Sequence, residues 1–213
     1  MVSDPCPPVQ EERLLKGEAL RRAPAAAAPG YGRRLARSDY GAPSLPQWCV
    51  WIQPAAAVQA DRWERRWLDG VDAALASWSA LLPVIRVDDP KRAHVRVERR
   101  RPPLRQLSSG WRASNGRSLL QVLQVKRAGR SLLEPRVTVM VSPELRAMAL
   151  RATALHELGH AFGLWGHSDN PTDAMAPVQG AFPVLEPSAN DRLTLDWIRR
   201  QPTGFGQSVQ ARF

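Results

Sequence analysis

The sequence predicts an α+β fold, in which a twisted mixed β-sheet of about five strands packs on two long helices and a short C-terminal subdomain ends in a last helix. Three observations predict it: short apolar runs recur between residues 48 and 141, two long stretches place apolar residues at helical spacing, and capping residues precede the helical stretches. The chain of 213 residues is long enough for one domain of about 150 residues with its own core, together with a tail.

Residues 1–46 differ in composition from the rest of the chain. They contain seven prolines and no apolar periodicity, which is typical of a segment that buries too little apolar surface to become ordered. We therefore predict a flexible or loosely attached tail at residues 1–46 and a folded domain at residues 47–213.

The predicted domain begins with a strand and a long helix. Residues 48–52 form an apolar run that Pro54 stops. Asp61 has the position of an N-cap, with Glu64 three residues later, and Pro83 ends the helix. Three tryptophans at helical spacing are assigned to the core: Trp63, Trp67 and Trp78.

Four more strands are predicted after this helix, at residues 84–87, 93–97, 118–126 and 136–141. The second of them puts His94 on its polar face, where we expect an ordinary surface histidine. Residues 99–117 are rich in Arg, Ser, Gly and Pro and are expected to form a long loop.

Two further helices complete the predicted fold. Ser142-Pro143-Glu144 has the order of an N-cap, a first-turn proline and a first-turn acid, so the second long helix is expected to start there and to run to Gly163. The last helix is predicted to begin after Ser188, with Asp191 in capping-box spacing.

Basic charge is concentrated in one part of the chain. The formal net charge is +10, and residues 91–151 alone carry +12, whereas residues 156–213 carry −2. The densest part is Arg99-Arg100-Arg101. A surface for an acidic partner is therefore one functional hypothesis, although no nucleic-acid motif accompanies it.

Neither a membrane span nor a secretory signal is expected in this chain. The uncharged residues 42–60 contain three prolines and do not form a spanning helix of about 20 apolar residues, and the first residues have neither a basic start nor an apolar run. Two cysteines are too few for a disulfide scaffold; one bridge between Cys6 and Cys49 is possible, but two free thiols are the expected state.

Three of the four histidines lie at the end of the second long helix, in the sequence HELGHAFGLWGH at residues 156–167. Residues four apart share one face of a helix, so His156 and His160 present two imidazoles that can bind one metal ion. Glu157 is offset around the helix, which places it beside the ion, where a carboxylate can act as a base on a metal-bound water.

A third ligand is needed, because a catalytic zinc site usually has three protein ligands and an open position. Gly163 lies one turn after His160 and can adopt a positive φ, which ends the helix and lets His167 approach the same ion. A different scheme takes a distant glutamate as the third ligand, and Glu186 is the only glutamate after Glu157.

These residues resemble the signature of the metzincin zinc endopeptidases, HExxHxxGxxH followed by a methionine turn. The chain looks closest to small matrixin-like bacterial members, and the resemblance covers most of residues 47–200. It implies that Met175 forms the turn beneath the metal and that Gly163 and Met175 support the site structurally. The implied active residues are the ligands of one catalytic zinc ion and the general base, namely His156, His160, His167 and Glu157. Calcium is possible but not indicated.

One spacing departs from the family pattern. The signature places the third histidine three residues after the glycine, where this chain has Gly166, and His167 follows one residue later. Either His167 serves, with Trp165 or Gly166 absorbed as a bulge, or Asp169 is used, as in relatives with an aspartate ligand. We favour His167, because neutral imidazole is the commoner zinc donor.

The resemblance implies a zinc-dependent endopeptidase that hydrolyses peptide bonds with a zinc-activated water. A peptide or protein substrate would bind as an extended strand along the sheet edge near residues 119–125, with residues 177–182 walling the pocket that follows the scissile bond. We expect a monomer and no specific nucleic acid as partner. Members of the family are mostly secreted, but the compartment of this chain does not follow from its sequence.

Two other functions stay open at this point. One is a zinc-binding domain without peptidase activity, against which the intact Glu157 argues. The other is an Arg-rich binding protein for an acidic partner, with residues 91–151 as its surface.

Overall fold

A computed structural model describes residues 4–15, 20–22, 27–56, 60–107, 110–178 and 182–209 of the chain. Over these ranges a mixed six-stranded sheet and three α-helices confirm the α+β class. None of the described helices has the length and apolar composition of a membrane span. The helices are α1 (Arg62–Ser79), α2 (Ala147–Ala161) and α3 (Ala189–Arg199). The strands are β1 (Val9–Leu14), β2 (Arg21–Arg22), β3 (Ala36–Arg37), β4 (Trp48–Ile52), β5 (Val84–Arg86), β6 (Val95–Arg99), β7 (Arg105–Leu107), β8 (Gly110–Arg112), β9 (Gly116–Arg127) and β10 (Arg130–Val141).

The main sheet has the strand order β1-β9-β10-β6-β4-β5. The pairs β10–β6, β6–β4 and β4–β5 are parallel, whereas β9 and β10 form a long antiparallel hairpin. The hairpin turns at Ala128 and Gly129, which both have positive φ, and such two-residue turns match the twist of the flanking strands. β10 begins at Arg130, before the predicted start at residue 136, because residues 130–135 pair with β9. Pro135 has no N–H to donate, and it is tolerated because the pairing with β6 on the other side begins only at Val137.

The N-terminal region packs against the domain, which differs from the flexible tail predicted for residues 1–46. β1 pairs with β9, β2 pairs with β3, and a disulfide joins Cys6 to Cys49, so the prediction of two free thiols is wrong. Four side chains of the region are buried in the main core: Tyr31, Leu35, Ala42 and Leu45. Composition misses this packing because the rest of the chain, rather than the region itself, buries these side chains. The predicted tail also includes residues 1–3, 16–19 and 23–26, which lie outside the described residues.

β1 covers part of the sheet edge that is predicted to receive a substrate. It lies opposite residues 123–127 of β9, and the N–H of Leu15 donates to the carbonyl of Val122 at 2.9 Å. Within the predicted edge of residues 119–125, the second half is therefore already paired. Among the described strands, none pairs with the outer side of residues 116–121 of β9.

Two buried tryptophans of α1 join this helix to the sheet and to α2. The indole N–H of Trp67 donates to the carbonyl of Val141 at 3.1 Å, and that of Trp78 donates to the carbonyl of Leu155 at 2.9 Å. Trp63 was also assigned to the core, but this side chain is 47% exposed, so the assignment is wrong. Its ring lies against the guanidinium groups of Arg62 and Arg66 at the first turn of α1.

Two of the three helices begin at their predicted caps, which are the capping boxes of Asp61 with Glu64 and of Ser188 with Asp191. The start of α2 is later than predicted: Arg146 is its N-cap and contributes no side-chain hydrogen bond. The N–H of Ser142 donates to the carbonyl of Asn115 at 2.9 Å. Ser142 therefore extends the sheet ladder, and the helix begins only after the turn that follows.

Two smaller expectations are also corrected. The predicted loop at residues 99–117 contains the hairpin of β7 and β8, and β9 begins within it. His94 is buried rather than on the surface, because β4 and β10 flank it: its Nδ1 accepts the N–H of Cys49 at 3.0 Å, and its Nε2 lies 3.6 Å from Oε1 of Glu134.

Candidate metal centre

Three histidine side chains converge at the end of α2. His156 and His160 project from the helix, and His167 comes from the loop that follows it. One ring nitrogen of each lies within 4.8 Å of those of the other two. The ring centroids are 4.8, 5.0 and 5.2 Å apart. The three histidines are therefore close enough to hold one metal ion, and imidazole ligands are compatible with zinc.

Hydrogen bonds to the main chain orient two of the rings. The Nδ1 of His156 lies 2.8 Å from the carbonyl oxygen of Ala174, and the Nδ1 of His160 lies 2.7 Å from that of Leu164. A carbonyl oxygen only accepts, so in each neutral ring Nδ1 carries the proton and Nε2 keeps its lone pair. Metal-binding histidines are commonly held in this way.

The surroundings of the three imidazoles favour their neutral form. Burial lowers the pKa of His156 to about 4 and lowers the pKa of His160 well below its ordinary value. Burial and the charge of Arg22 lower the pKa of His167. Neutral imidazole is the form that binds a metal ion.

Glu157 is buried between α2 and the start of β9. The hydroxyl of Ser118 lies 2.7 Å from Oε2 and 2.9 Å from the main-chain oxygen of Glu157, so it can donate to either. Burial raises the pKa of Glu157 to about 7, although the Ser118 hydrogen bond and the charge of Arg117 act in the opposite direction. A Cβ on Gly116 would lie 2.7 Å from Cγ of Glu157, so only glycine allows this approach. A carboxyl group with such a pKa can exchange protons near neutral pH.

Tight turns take up the additional residue between Gly163 and His167. Gly163 follows α2 with a φ of 110°. The N–H groups of Trp165 and Gly166 each donate to the carbonyl two residues back, at 2.9 and 2.8 Å, which is the pattern of γ-turns. Gly166 also lies against the backbone of Arg34, whose carbonyl oxygen would be 2.4 Å from an added Cβ. These turns shorten the path, and His167 joins the other two histidines.

The alternative third ligands make other contacts. Asp169 forms an ion pair with Arg34, and its side chain is 70% exposed. Glu186 forms an ion pair with Arg151. In the part of the chain that the structure describes, the close group of metal-ligand atoms at this site consists of the three histidines alone.

Met175 lies directly against the histidine-bearing helix. It is fully buried, and its Sδ would be 2.3 Å from a Cβ added to Gly159, which stands between the two helical ligands. The N–H of Ser168 donates to the carbonyl of Met175 at 3.0 Å, which ties the turn to the residue after His167.

A buried carboxylate, Asp191, accepts hydrogen bonds from the main chain of the turn around Met175. Asp191 accepts the N–H of Ala174 at 2.7 Å and the hydroxyl of Tyr31 at 2.8 Å. Since the carbonyl of Ala174 accepts from His156, a chain of hydrogen bonds runs from Tyr31 to the ring of His156. Burial and the nearby Asp191 raise the pKa of Tyr31, so it stays a hydroxyl donor.

Sequence reasoning missed the contributions of three residues: Ser118, Tyr31 and Asp191. The capping-box spacing pointed to Asp191, but only as a helix cap. No local signal indicates Ser118 or Tyr31, because their partners lie 39 and 160 residues away along the chain.

The predicted pocket wall at residues 177–182 is only partly described, because residues 179–181 lie outside the described ranges. Val178 and Phe182, on either side of this gap, are 70% and 87% exposed. Both apolar side chains are therefore accessible to solvent.

No protein-family model matches the chain, and a search of curated proteins finds no match.

Proposed function

We propose that this protein is a zinc-dependent endopeptidase of the metzincin type. One observation carries the proposal: three imidazoles converge at the end of a helix that also carries the buried Glu157. Structural zinc sites usually have four protein ligands, whereas three leave a position for water or substrate. The set of residues therefore fits a catalytic zinc ion better than a structural one.

The histidines hold and orient the metal in this proposal. His156 and His160 offer Nε2 because their Nδ1 protons are bound to carbonyl oxygens, and His167 supplies the third nitrogen. When bound, zinc acts as a Lewis acid that polarises a carbonyl group and makes water a stronger acid. The main-chain contacts preserve the ring orientations, so the histidines need not reorganise during a reaction.

Glu157 is the proposed general base. Ser118 holds Oε2, which leaves Oε1 to take a proton from the attacking water and to deliver it to the nitrogen of the leaving amine. Its carboxyl group is buried, so proton transfer is shielded from bulk solvent.

The substrate is proposed to bind along residues 116–121 of β9. This segment lacks a described strand on its outer side, and it runs past Glu157, because Gly116 and Ser118 both contact that residue. An extended peptide gains main-chain hydrogen bonds by adding to such an edge. β1 limits this open edge at Val122.

Metal analysis and a peptide-library digest test the proposal together. We expect about one zinc ion per chain, hydrolysis that a chelator stops and added zinc restores, and a fall in kcat/KM of about 10²–10⁴-fold in Glu157→Gln with zinc still bound. Glu144→Gln is the matched control, because that side chain is exposed and lies away from the site; its kcat/KM should stay within about twofold of the parent value.

Two outcomes would overturn the proposal. Zinc binding without hydrolysis of any library peptide would favour a zinc-binding domain that is not a peptidase. Full hydrolysis by Glu157→Gln with zinc bound would remove the assigned base.

A further inference from the structure

The arginine run that stands out in the sequence, residues 99–101, is engaged in ion pairs. Arg99, Arg100 and Arg101 form ion pairs with three glutamates, namely Glu64, Glu98 and Glu144. Their charge is therefore largely compensated within the fold. Arginines for which the described residues show no ion pair lie instead in a groove between α1 and α2, namely Arg62, Arg65 and Arg66.

The groove has a volume of about 490 Å³, which lies in the range of small-ligand sites. Its basic and apolar lining includes Arg62, Arg65, Arg66, Arg151, Met148 and Leu185. Among the described lining residues Asp69 is the one acid, and Glu186, next to Leu185, forms an ion pair with Arg151. Two other acids of α1, Glu64 and Asp72, are bound to Arg99 and Arg86 and do not neutralise the groove.

Two of these arginines are held in place. The guanidinium carbons of Arg62 and Arg66 lie 4.7 and 4.2 Å from the ring centroid of Trp63, which accounts for the exposed position of that tryptophan. The Nε atoms of Arg66 and Arg151 are buried without a hydrogen-bond partner among the described residues.

The first turn of α2 adds to the positive potential of the groove. Ala147 and Met148, its first two residues, line the groove, and the N-cap Arg146 provides no side-chain acceptor for the free N–H groups. A helix N-terminus favours negative charge.

The apolar part of the lining decides which anion fits. Met148 is 56% exposed, and Leu185 is half-buried beside it. A nucleic acid or a simple inorganic anion would leave this apolar surface uncovered, whereas a peptide can combine carboxylates with an aliphatic side chain.

We infer that the groove binds an acidic polypeptide segment that carries an aliphatic side chain. That this polypeptide is a substrate rests on the function proposed above. Met148 and His156 are eight residues apart on α2, which corresponds to about 12 Å along the helix axis, or about four residues of extended chain. The groove would then bind substrates several residues away from the scissile bond.

Fluorescence anisotropy with a labelled Glu-Leu repeat peptide tests the inference. The measurement uses the Glu157→Gln protein, so that the probe stays intact. The triple variant Arg62→Gln, Arg65→Gln, Arg66→Gln should bind the peptide at least about tenfold more weakly at low salt. The matched control removes the same charge from α3 by Arg192→Gln, Arg199→Gln and Arg200→Gln, and it should change the affinity by less than about twofold.

Three results would overturn the inference: equal losses in the two triple variants, equal binding of a Gln-Leu repeat, or single-stranded DNA that binds as tightly with the same dependence on the three arginines. If circular dichroism shows that the first variant is unfolded, Met148→Glu decides the matter, because it leaves the arginines and places a like charge beside the peptide.

The anisotropy experiment measures binding without hydrolysis. Intact binding by a protein that never hydrolyses peptides would therefore defeat the proposed function alone, and intact hydrolysis without groove binding would defeat this inference alone.

Discussion

At the scale of single residues, Ser118 is the side chain that orients the proposed base. Its hydroxyl lies 2.7 Å from Oε2 of Glu157 and comes from the strand that faces α2. Without this hydroxyl, the carboxylate would stay buried, but Oε2 would lose its hydrogen bond and would no longer be distinguished from Oε1, the proposed proton acceptor. Ser118 is thus a positioning residue, because it acts through Glu157.

Ser118→Ala should lower kcat/KM by about tenfold, since a positioning contact carries only part of the factor of about 10²–10⁴ that a general base supplies. The zinc content should not change, because the described hydrogen bonds of the Ser118 side chain go to Glu157 and not to the three histidines. Peptide hydrolysis and metal analysis on the same sample check both statements. A loss of zinc that parallels the loss of activity would show a structural role instead, and Ser118→Thr, which keeps the hydroxyl, should restore most of the rate.

A second residue-scale feature is the buried ion pair of Glu134. The Nε of Arg127 lies 2.8 and 3.0 Å from the two carboxylate oxygens, and His94 approaches from the other side. Burial alone would raise the pKa of Glu134, but the hydrogen bonds from His94 and Arg127 and the charge of Arg127 outweigh it and lower this pKa from its ordinary value.

This pair predicts how stability depends on acid. The pKa of Glu134 is lower in the folded protein than in the unfolded chain, where it is about 4.5. The contribution of Glu134 to the free energy of unfolding is therefore complete above about pH 4.5 and is lost as the pH falls through the folded-state pKa. Urea unfolding should therefore show a larger loss of stability between about pH 6 and about pH 3 for the parent than for Glu134→Gln. Equal losses would mean that other carboxylates dominate.

At the scale of elements, α3 supports the metal centre through its first turn. The carboxylate of Asp191 caps the helix by accepting the N–H of Ser188 at 2.9 Å, and it also accepts from Ala174 and Tyr31. Helix capping and the methionine turn therefore depend on one fully buried side chain.

Asp191→Ala should lower the free energy of unfolding by about 3 kcal/mol, because it leaves several buried donors without an acceptor. It should also weaken metal binding by about 10–100-fold, because the carbonyl that holds His156 loses its support. Urea unfolding and competition with a chelating dye measure the two effects. Asp196→Ala is the control on the exposed side of α3, and it should change stability by less than about 0.5 kcal/mol.

Elements whose signals are local were predictable from the sequence. The spacing of His156, Glu157 and His160 and the capping boxes of α1 and α3 depend on residues within one turn of each other. The start of α2 was not predictable, because a hydrogen bond between Ser142 and Asn115 competes with the cap.

At the scale of the whole molecule, the N-terminal region is bound to the domain by both covalent and non-covalent contacts. The disulfide links Cys6 to Cys49 of β4, and Tyr31 reaches α3. Such contacts connect residues that no sequence pattern relates, so they were not predictable. The sheet has six strands where about five were predicted, because β1 pairs with β9 and this pairing is also a contact between distant parts of the chain.

Removing the disulfide should destabilise the fold. It closes a loop of 43 residues, for which loop entropy predicts a contribution of about 4 kcal/mol. The double variant Cys6→Ser, Cys49→Ser should lose about that amount in urea unfolding, and a reducing agent should have the same effect on the parent but none on the variant. A reducing agent without effect on the parent would show that the bridge does not stabilise the protein.

The order of strand pairing has a consequence for synthesis. β1 ends at Leu14 and is synthesised about 100 residues before its partner β9, which begins at Gly116. At about 5–20 residues per second, β1 waits on the order of 10 s for that strand. Cys49 is made much earlier than β9, so oxidation can tether the nascent β1 to β4 and hold it near the place where its partner will emerge.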